Sequence, residues 1–166
     1  HPYRMLVTLS DFDTPRWLAR GTMYHVFVDR FFCGRGEVGK RDDVIMNPDW
    51  ENGTPQYAIH AGDELSNDVF FGGNLWGVAE KLPYLKSLGV TVLYLSPIFR
   101  AYSNHKYDTG DYETVDGMFG GNEALRNLLD RAHEAGMHVV GYYSLIYNTV
   151  EEDLHPDWRI VCADGT

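Results

Sequence analysis

Cysteine is scarce in this sequence. Its two cysteines, Cys33 and Cys162, stand far apart with no C-x-x-C spacing, which excludes a zinc site of that kind. They read most simply as two unpaired thiols and do not decide a redox compartment. No apolar run approaches the ~20 residues that span a bilayer. Positive charge is also short: 14 Lys and Arg face 24 Asp and Glu, for a formal net charge of −10. Neither nucleic acid nor an anionic membrane is attracted to such a surface, so a neutral or cationic ligand fits better, as does plain solubility. There is no phosphate-cradling Walker sequence, no H-E-x-x-H pattern, no internal repeat and no low-complexity segment. The first residue is His1 and not Met, so the chain reads as a processed or cut piece, with any targeting signal lost from its start.

What is present is ordinary globular material. The 166 residues are 44% hydrophobic and 23% charged, enough for one domain with a sizeable core. Aromatics make up 14%, with 11 Tyr and 4 Trp. Aromatic faces bind sugar rings well, and they also fill cores; composition alone does not choose.

Residues 1–21 read as a lead-in and linker, and residues 22–166 as one unit. A first strand is expected around Tyr24 to Val28 in "MYHVFVDRFF", which is rich in aromatic and β-branched residues. A long loop, 34–72, follows without sustained period; loops of that length are usually functional or mobile. Asn74 is a plausible N-cap for a helix whose Leu75, Val78, Leu82, Leu85 and Leu88 share a face. Pro83 is expected to kink it, and Gly89 to end it. "VTVLYL" is apolar on both faces, as a covered parallel strand should be. A second helix starts near Asn122 and ends at Gly136, and a third strand begins near Met137. This alternation implies α/β architecture with a parallel sheet and two crossover helices. Ligand sites in such folds lie at the C-terminal ends of strands. The stretch "SNHKYDTGDY", Ser103 to Tyr112, sits at such an end, and it could be a working site or a solvated turn.

"MYHVFVDRFF", "FFGGNLWGVAEKLPYLKSLGVTVLYLSPIF", "SNHKYDTGDYETVDGMFGG" and "LLDRAHEAGMHVV" together resemble the start of an α-amylase family glycoside hydrolase of the neopullulanase and cyclomaltodextrinase type, over about Thr14 to Val140. The resemblance implies the N-terminal part of a (β/α)8 barrel with an α-glucan or maltooligosaccharide as ligand. It implies that Tyr107 stacks on a sugar ring, that His105 belongs to the same wall, and that Asp111 structures the loop. Asp29 and Arg30 match a structural rather than catalytic pair, and Lys106 and Asp108 are expected to be solvated. The third strand departs from the family pattern, which places an Asp there and an Asn-His pair shortly after. A strict alignment puts Tyr142, Ile146 and Tyr147 in those places; a shift of two residues puts Ser144, Asn148 and Thr149 there. Ile146 cannot ligate the family-type calcium, since hard cations need oxygen ligands, so no cofactor is carried over. The tail "HVVGYYSLIYNTVEEDLHPDWRIVCADGT" resembles a different glycosyl hydrolase group, related to α-fucosidase and β-galactosidase barrels, which suggests a join near Met137 to Gly141.

Retaining glycoside hydrolysis needs two carboxyl groups about 5 Å apart. The resemblance places these on the fourth and fifth strands, and a third carboxylate on the seventh. The local candidates are Asp108, Asp111, Asp116, Glu151, Glu152 and Asp153, and nothing in the sequence shows any of them desolvated for acid work. The chain alone is therefore expected to be inactive. The alternatives are a non-catalytic carbohydrate-binding or structural α/β module, or a chimeric barrel fragment. Open sheet edges also predict a homodimer.

Overall fold

The computed structural model describes residues 14–144. A short helix α1 (Arg16–Ala19) leads into strand β1 (Met23–Val26), which ends in a 3-10 turn over Val28–Arg30. Within the long loop, the two-residue strands β2 (Ile45–Met46) and β3 (Val69–Phe70) pair in parallel. Helices α2 (Leu75–Glu80) and α3 (Leu82–Ser87) then lead to β4 (Val92–Leu95). An antiparallel hairpin follows, formed by β5 (Phe99–Ala101) and β6 (Thr109–Val115). Helix α4 (Gly121–Glu134) and strand β7 (His138–Val140) complete the described elements.

β1, β4 and β7 form one parallel sheet in that order, with Val26 opposite Leu95 and Val92 opposite His138. Two helical crossovers connect its strands, as the alternation implies. β4 lies in the middle, and its Val92, Leu93 and Leu95 are at most 1% exposed, which is why it reads as an apolar run on both faces. The core joins these strands to Leu75, Val78, Leu82 and Leu85 of the first crossover and to Ala124, Leu128 and Ala132 of the second.

The first crossover is two helices rather than one kinked helix. Pro83 has no N–H, and its ring crowds the carbonyl four residues back. The chain therefore breaks at Lys81 (φ −90°, ψ 0°) and restarts with Pro83 in the first turn of α3, where an N–H is not needed. Asn74 caps α2 as expected, its Oδ1 accepting the Gly77 N–H at 2.9 Å. The same oxygen accepts the Gly34 N–H at 3.2 Å, so one side chain ties the helix start to the loop leaving β1. Trp17 of α1 stacks on His138 of β7, with centroids 4.3 Å apart, so part of the expected linker packs back on the sheet.

The hairpin was not expected. Its polar tip masks β6, although Thr109, Tyr112, Thr114 and Val115 are the β-branched and aromatic residues that mark a strand. It projects beyond the C-terminal end of β4 and carries the His105–Tyr107 stretch at its turn.

Candidate functional site

The turn joining β5 to β6 is held by its own side chains. Asp108 Oδ2 accepts the backbone N–H groups of Tyr102 and Ser103 at 3.1 and 3.0 Å, and the Ser103 hydroxyl donates to Asp108 Oδ1. Ser103 Oγ in turn accepts the Lys106 N–H at 2.9 Å. Asn104 anchors the turn to the long loop, its N–H donating to Asn67 O at 2.7 Å and its Nδ2 to Val69 O at 2.9 Å. Asp108 is thus a structural acceptor as well as the solvent-exposed carboxylate that was expected. Burial alone would push its carboxyl up, but the Ser103 donors outweigh this and hold it below the usual range. With a depressed folded value, its contribution is complete above the ordinary carboxylate pKa of about 3.9 and is lost as pH falls through the lower folded value. Protection of the Tyr102 and Ser103 amides, measured relative to their intrinsic exchange rates, is therefore expected to hold above about pH 4 and to fall as the pH drops below it.

Lys106 departs furthest from expectation. It is fully buried, with its Nζ 2.6 Å from Asp116 Oδ2. A residue with φ +60° turns the chain there, so the side chain enters the protein while its neighbours stay at the surface. Burial pushes the ammonium down in pKa, and Asp116 opposes this.

His105 and Tyr107 are those neighbours. Tyr107 is 45% exposed. Its N–H donates to His105 Nδ1 at 3.1 Å, so in the neutral ring the proton sits on Nε2, which makes that nitrogen the donor. Ser103, His105 and Asp108 do not form a nucleophilic relay. Both Asp108 and His105 converge on the serine oxygen, with the imidazole and carboxylate 4.0 Å apart; among the described residues, no carboxylate is seen to orient the imidazole from its far side, as a catalytic triad requires.

Tyr107 stands in a row of aromatic rings across the strand ends. Tyr142, just past β7, meets it edge to face at 4.9 Å. Burial, then the neighbouring Tyr94 hydroxyl, raises the Tyr107 phenol pKa, keeping it a neutral donor. Tyr94 in turn lies 5.0 Å from the His25 ring on β1. Tyr94 and His25 were missed in the sequence; the available signal was a polar-tipped aromatic interrupting the apolar run "VLYL". Asp111 is on β6, where it accepts the Glu113 N–H at 2.8 Å; the Thr114 side chain, then that N–H, lowers its pKa. Asp29 is fully buried and accepts N–H bonds from Phe71 and Gly72 at 3.1 Å, with Arg30 Nε at 2.7 Å. The pair fastens the long loop to the end of β1. Asp116 pairs with Lys106, so these acidic candidates are committed to donors of the protein. Among the described residues, no group of three or more His, Cys, Asp or Glu is placed to hold a metal. Ile146, Tyr147, Asn148, Thr149, Glu151, Glu152, Asp153 and Cys162 lie outside the described residues.

Residues 20–152 match the α-amylase catalytic domain. The chain belongs to the α-amylase family. That catalytic domain is a (β/α)8 barrel, of which the described residues supply a parallel sheet of three strands with its crossover helices. The chain is 39% identical over 153 residues to an amylopullulanase of Thermoanaerobacterium saccharolyticum, covering 83% of this chain and 12% of that protein. It is 41% identical over 129 residues to neopullulanase 2 of Thermoactinomyces vulgaris, covering 78% and 20%. Among solved structures, the type III pullulan hydrolase of Thermococcus kodakarensis matches with a TM-score of 0.58 and 33% identity, over 75% of this chain and 23% of that one. The chain thus spans under a quarter of these relatives. The α-amylase match runs to residue 152, past the join expected near Met137 to Gly141. The resemblance of the tail to fucosidase- and galactosidase-related barrels has no support in these comparisons.

Proposed function

We propose that this chain carries part of the substrate wall of an α-glucan-active glycoside hydrolase, with Tyr107 as a sugar-stacking platform and His105 as a hydrogen-bond donor beside it. The observation that carries this reading is an exposed tyrosine on a turn locked by its own side chains, set at the C-terminal ends of parallel strands. An exposed ring on a pre-ordered turn loses little entropy on binding, which favours affinity. Asp111 serves the same wall from β6 by ordering the Glu113 backbone. Hydrolysis needs two carboxylates across the scissile bond, and the acidic groups near the turn already hold the protein together. We therefore assign the chain alone to binding rather than cleavage, with the reacting carboxylates on barrel strands other than β1, β4 and β7.

Titration calorimetry with maltoheptaose tests this. The chain is expected to release heat, and Tyr107→Ala to weaken binding about tenfold, the equivalent of ~1.4 kcal/mol. Equal affinity in the two proteins would overturn the assignment of Tyr107.

β1 also exposes Met23 (47%) and Tyr24 (38%), an apolar surface beside a strand edge that no strand among the described residues pairs. Such edges favour pairing with a second copy, and light scattering is expected to show a dimer. A dilution-stable monomer would count against it.

A further inference from the structure

We propose that the buried Lys106–Asp116 pair is a positioning device that holds Tyr107 and His105 at the height where a sugar ring can engage them; the proposal rests on the reading of Tyr107 as a sugar platform. Lys106 lies between these two residues in sequence and points the opposite way. Its Nζ meets Asp116 Oδ2 at 2.6 Å and donates to Ala101 O at 3.2 Å, between aromatic neighbours Phe70 and Phe119 whose ring centroids are 5.0 and 5.1 Å away. Asp116 is itself 5% exposed. Its other oxygen accepts the Met118 N–H at 2.8 Å, at the start of the 3-10 turn that precedes α4. The pair therefore bolts the hairpin tip to the second crossover, across a core of aromatic rings.

Stability alone does not call for a charged pair there. Two buried charges lose their hydration, and an apolar pair of similar size is often as stable. What an apolar pair lacks is direction. The ammonium has two fixed acceptors, Ala101 O at the end of β5 beside the turn and Asp116 just past the far end of β6. Together with the φ of +60° at Lys106, which a residue with a Cβ adopts only when its surroundings hold it, they set the depth of residue 106. The Ser103 Oγ bond to the Lys106 N–H and the Thr109 hydroxyl bond to Lys106 O, 2.8 Å long, carry that depth to both flanks. Tyr107 and His105 follow.

The test separates holding the fold from placing the ring. Lys106→Met combined with Asp116→Leu replaces the charged pair by an apolar one. It leaves the Met118 N–H without its acceptor, so it is expected to lower the melting temperature by about 5–10 °C while keeping the chain folded. It is also expected to weaken maltoheptaose binding about tenfold, because displacing a positioned group by about 1 Å is enough for losses of that order. A second readout does not need sugar: the nuclear Overhauser effect between the Tyr107 and Tyr142 rings, whose centroids are 4.9 Å apart, should be present in the wild type and lost in the double variant. If the wild type binds no maltoheptaose, the sugar reading fails and this effect decides the positioning on its own. A folded double variant with unchanged affinity, or, where the wild type does not bind, an unchanged ring contact, would overturn the proposal. Should the double variant not fold, Asp116→Asn keeps the Met118 bond while removing the charge, and the same two readouts decide.

Discussion

Asp29→Ala is expected to destabilise the chain by about 2–5 kcal/mol, chiefly by stranding two buried backbone donors. Asp29 is fully buried and holds together groups far apart in sequence: the end of β1, the Phe71 and Gly72 N–H groups, and Arg30. Removing the carboxylate leaves two backbone donors without an acceptor, at roughly 1–3 kcal/mol each. Arg30 suffers less, because it is 20% exposed and keeps Val69 O at 2.9 Å and the Phe71 ring at 4.3 Å. The damage should therefore fall on the junction between the long loop and α2. Asp29→Asn keeps an acceptor oxygen and is expected to lose about half as much. Urea denaturation of the three proteins checks both, and a change below about 1 kcal/mol for Asp29→Ala would contradict the role.

Gly77→Ala is the second large effect, and it runs against helix propensity. Alanine in place of glycine stabilises a helix interior by about 1 kcal/mol. Here a Cβ would lie 2.0 Å from Phe32 O and 2.8 Å from Gly34 N, both backbone atoms that cannot rotate away. Overpacking of this kind costs about 1–3 kcal/mol, occasionally more, and it also strains the two Asn74 bonds that join Gly34 to the start of α2. A net loss of about 2 kcal/mol or more is expected in thermal melts; a stabilised Gly77→Ala would show that this approach of loop and helix is looser than described.

The parts of the fold legible from sequence are those written locally. β4 is an apolar run because it is covered on both faces, and α4 shows its Leu and Ala stripe. Gly89 and Gly136 mark helix ends because only glycine takes φ of +80° and +76° there without strain. Asn74 caps α2 in the expected place. The helix break at Lys81 was half legible: Pro83 announced a fault but not whether the helix would bend or restart.

The place of the loop motif at a strand end was legible, and its construction was not. The roles proposed for Tyr107 and His105 come from the family resemblance, and the structure puts both residues at the hairpin turn. Lys106 was misread, because a lysine among polar residues looks solvated, and nothing local reveals that Asp116 and two aromatic rings wait to enclose it. Burial of a charge is decided by tertiary partners, not by neighbours in sequence. The aromatic row from His25 through Tyr94 and Tyr107 to Tyr142 has the same origin, since it draws one residue from β1, one from β4, one from the hairpin turn and one from just past β7. The hairpin escaped notice because its turn chemistry is carried by side-chain bonds rather than by a Gly-rich signature.

The response of the tyrosine ring signals to maltoheptaose decides whether the hairpin tip binds α-glucan, with cellohexaose as the β-linked control and assignments from Tyr107→Phe and Tyr142→Phe. If the hairpin tip is an α-glucan wall, saturating maltoheptaose shifts the Tyr107 and Tyr142 ring signals and cellohexaose leaves them in place. Shifts confined to the exposed Tyr57 of the long loop or Tyr84 of α3, or no shifts in a folded chain, would contradict it.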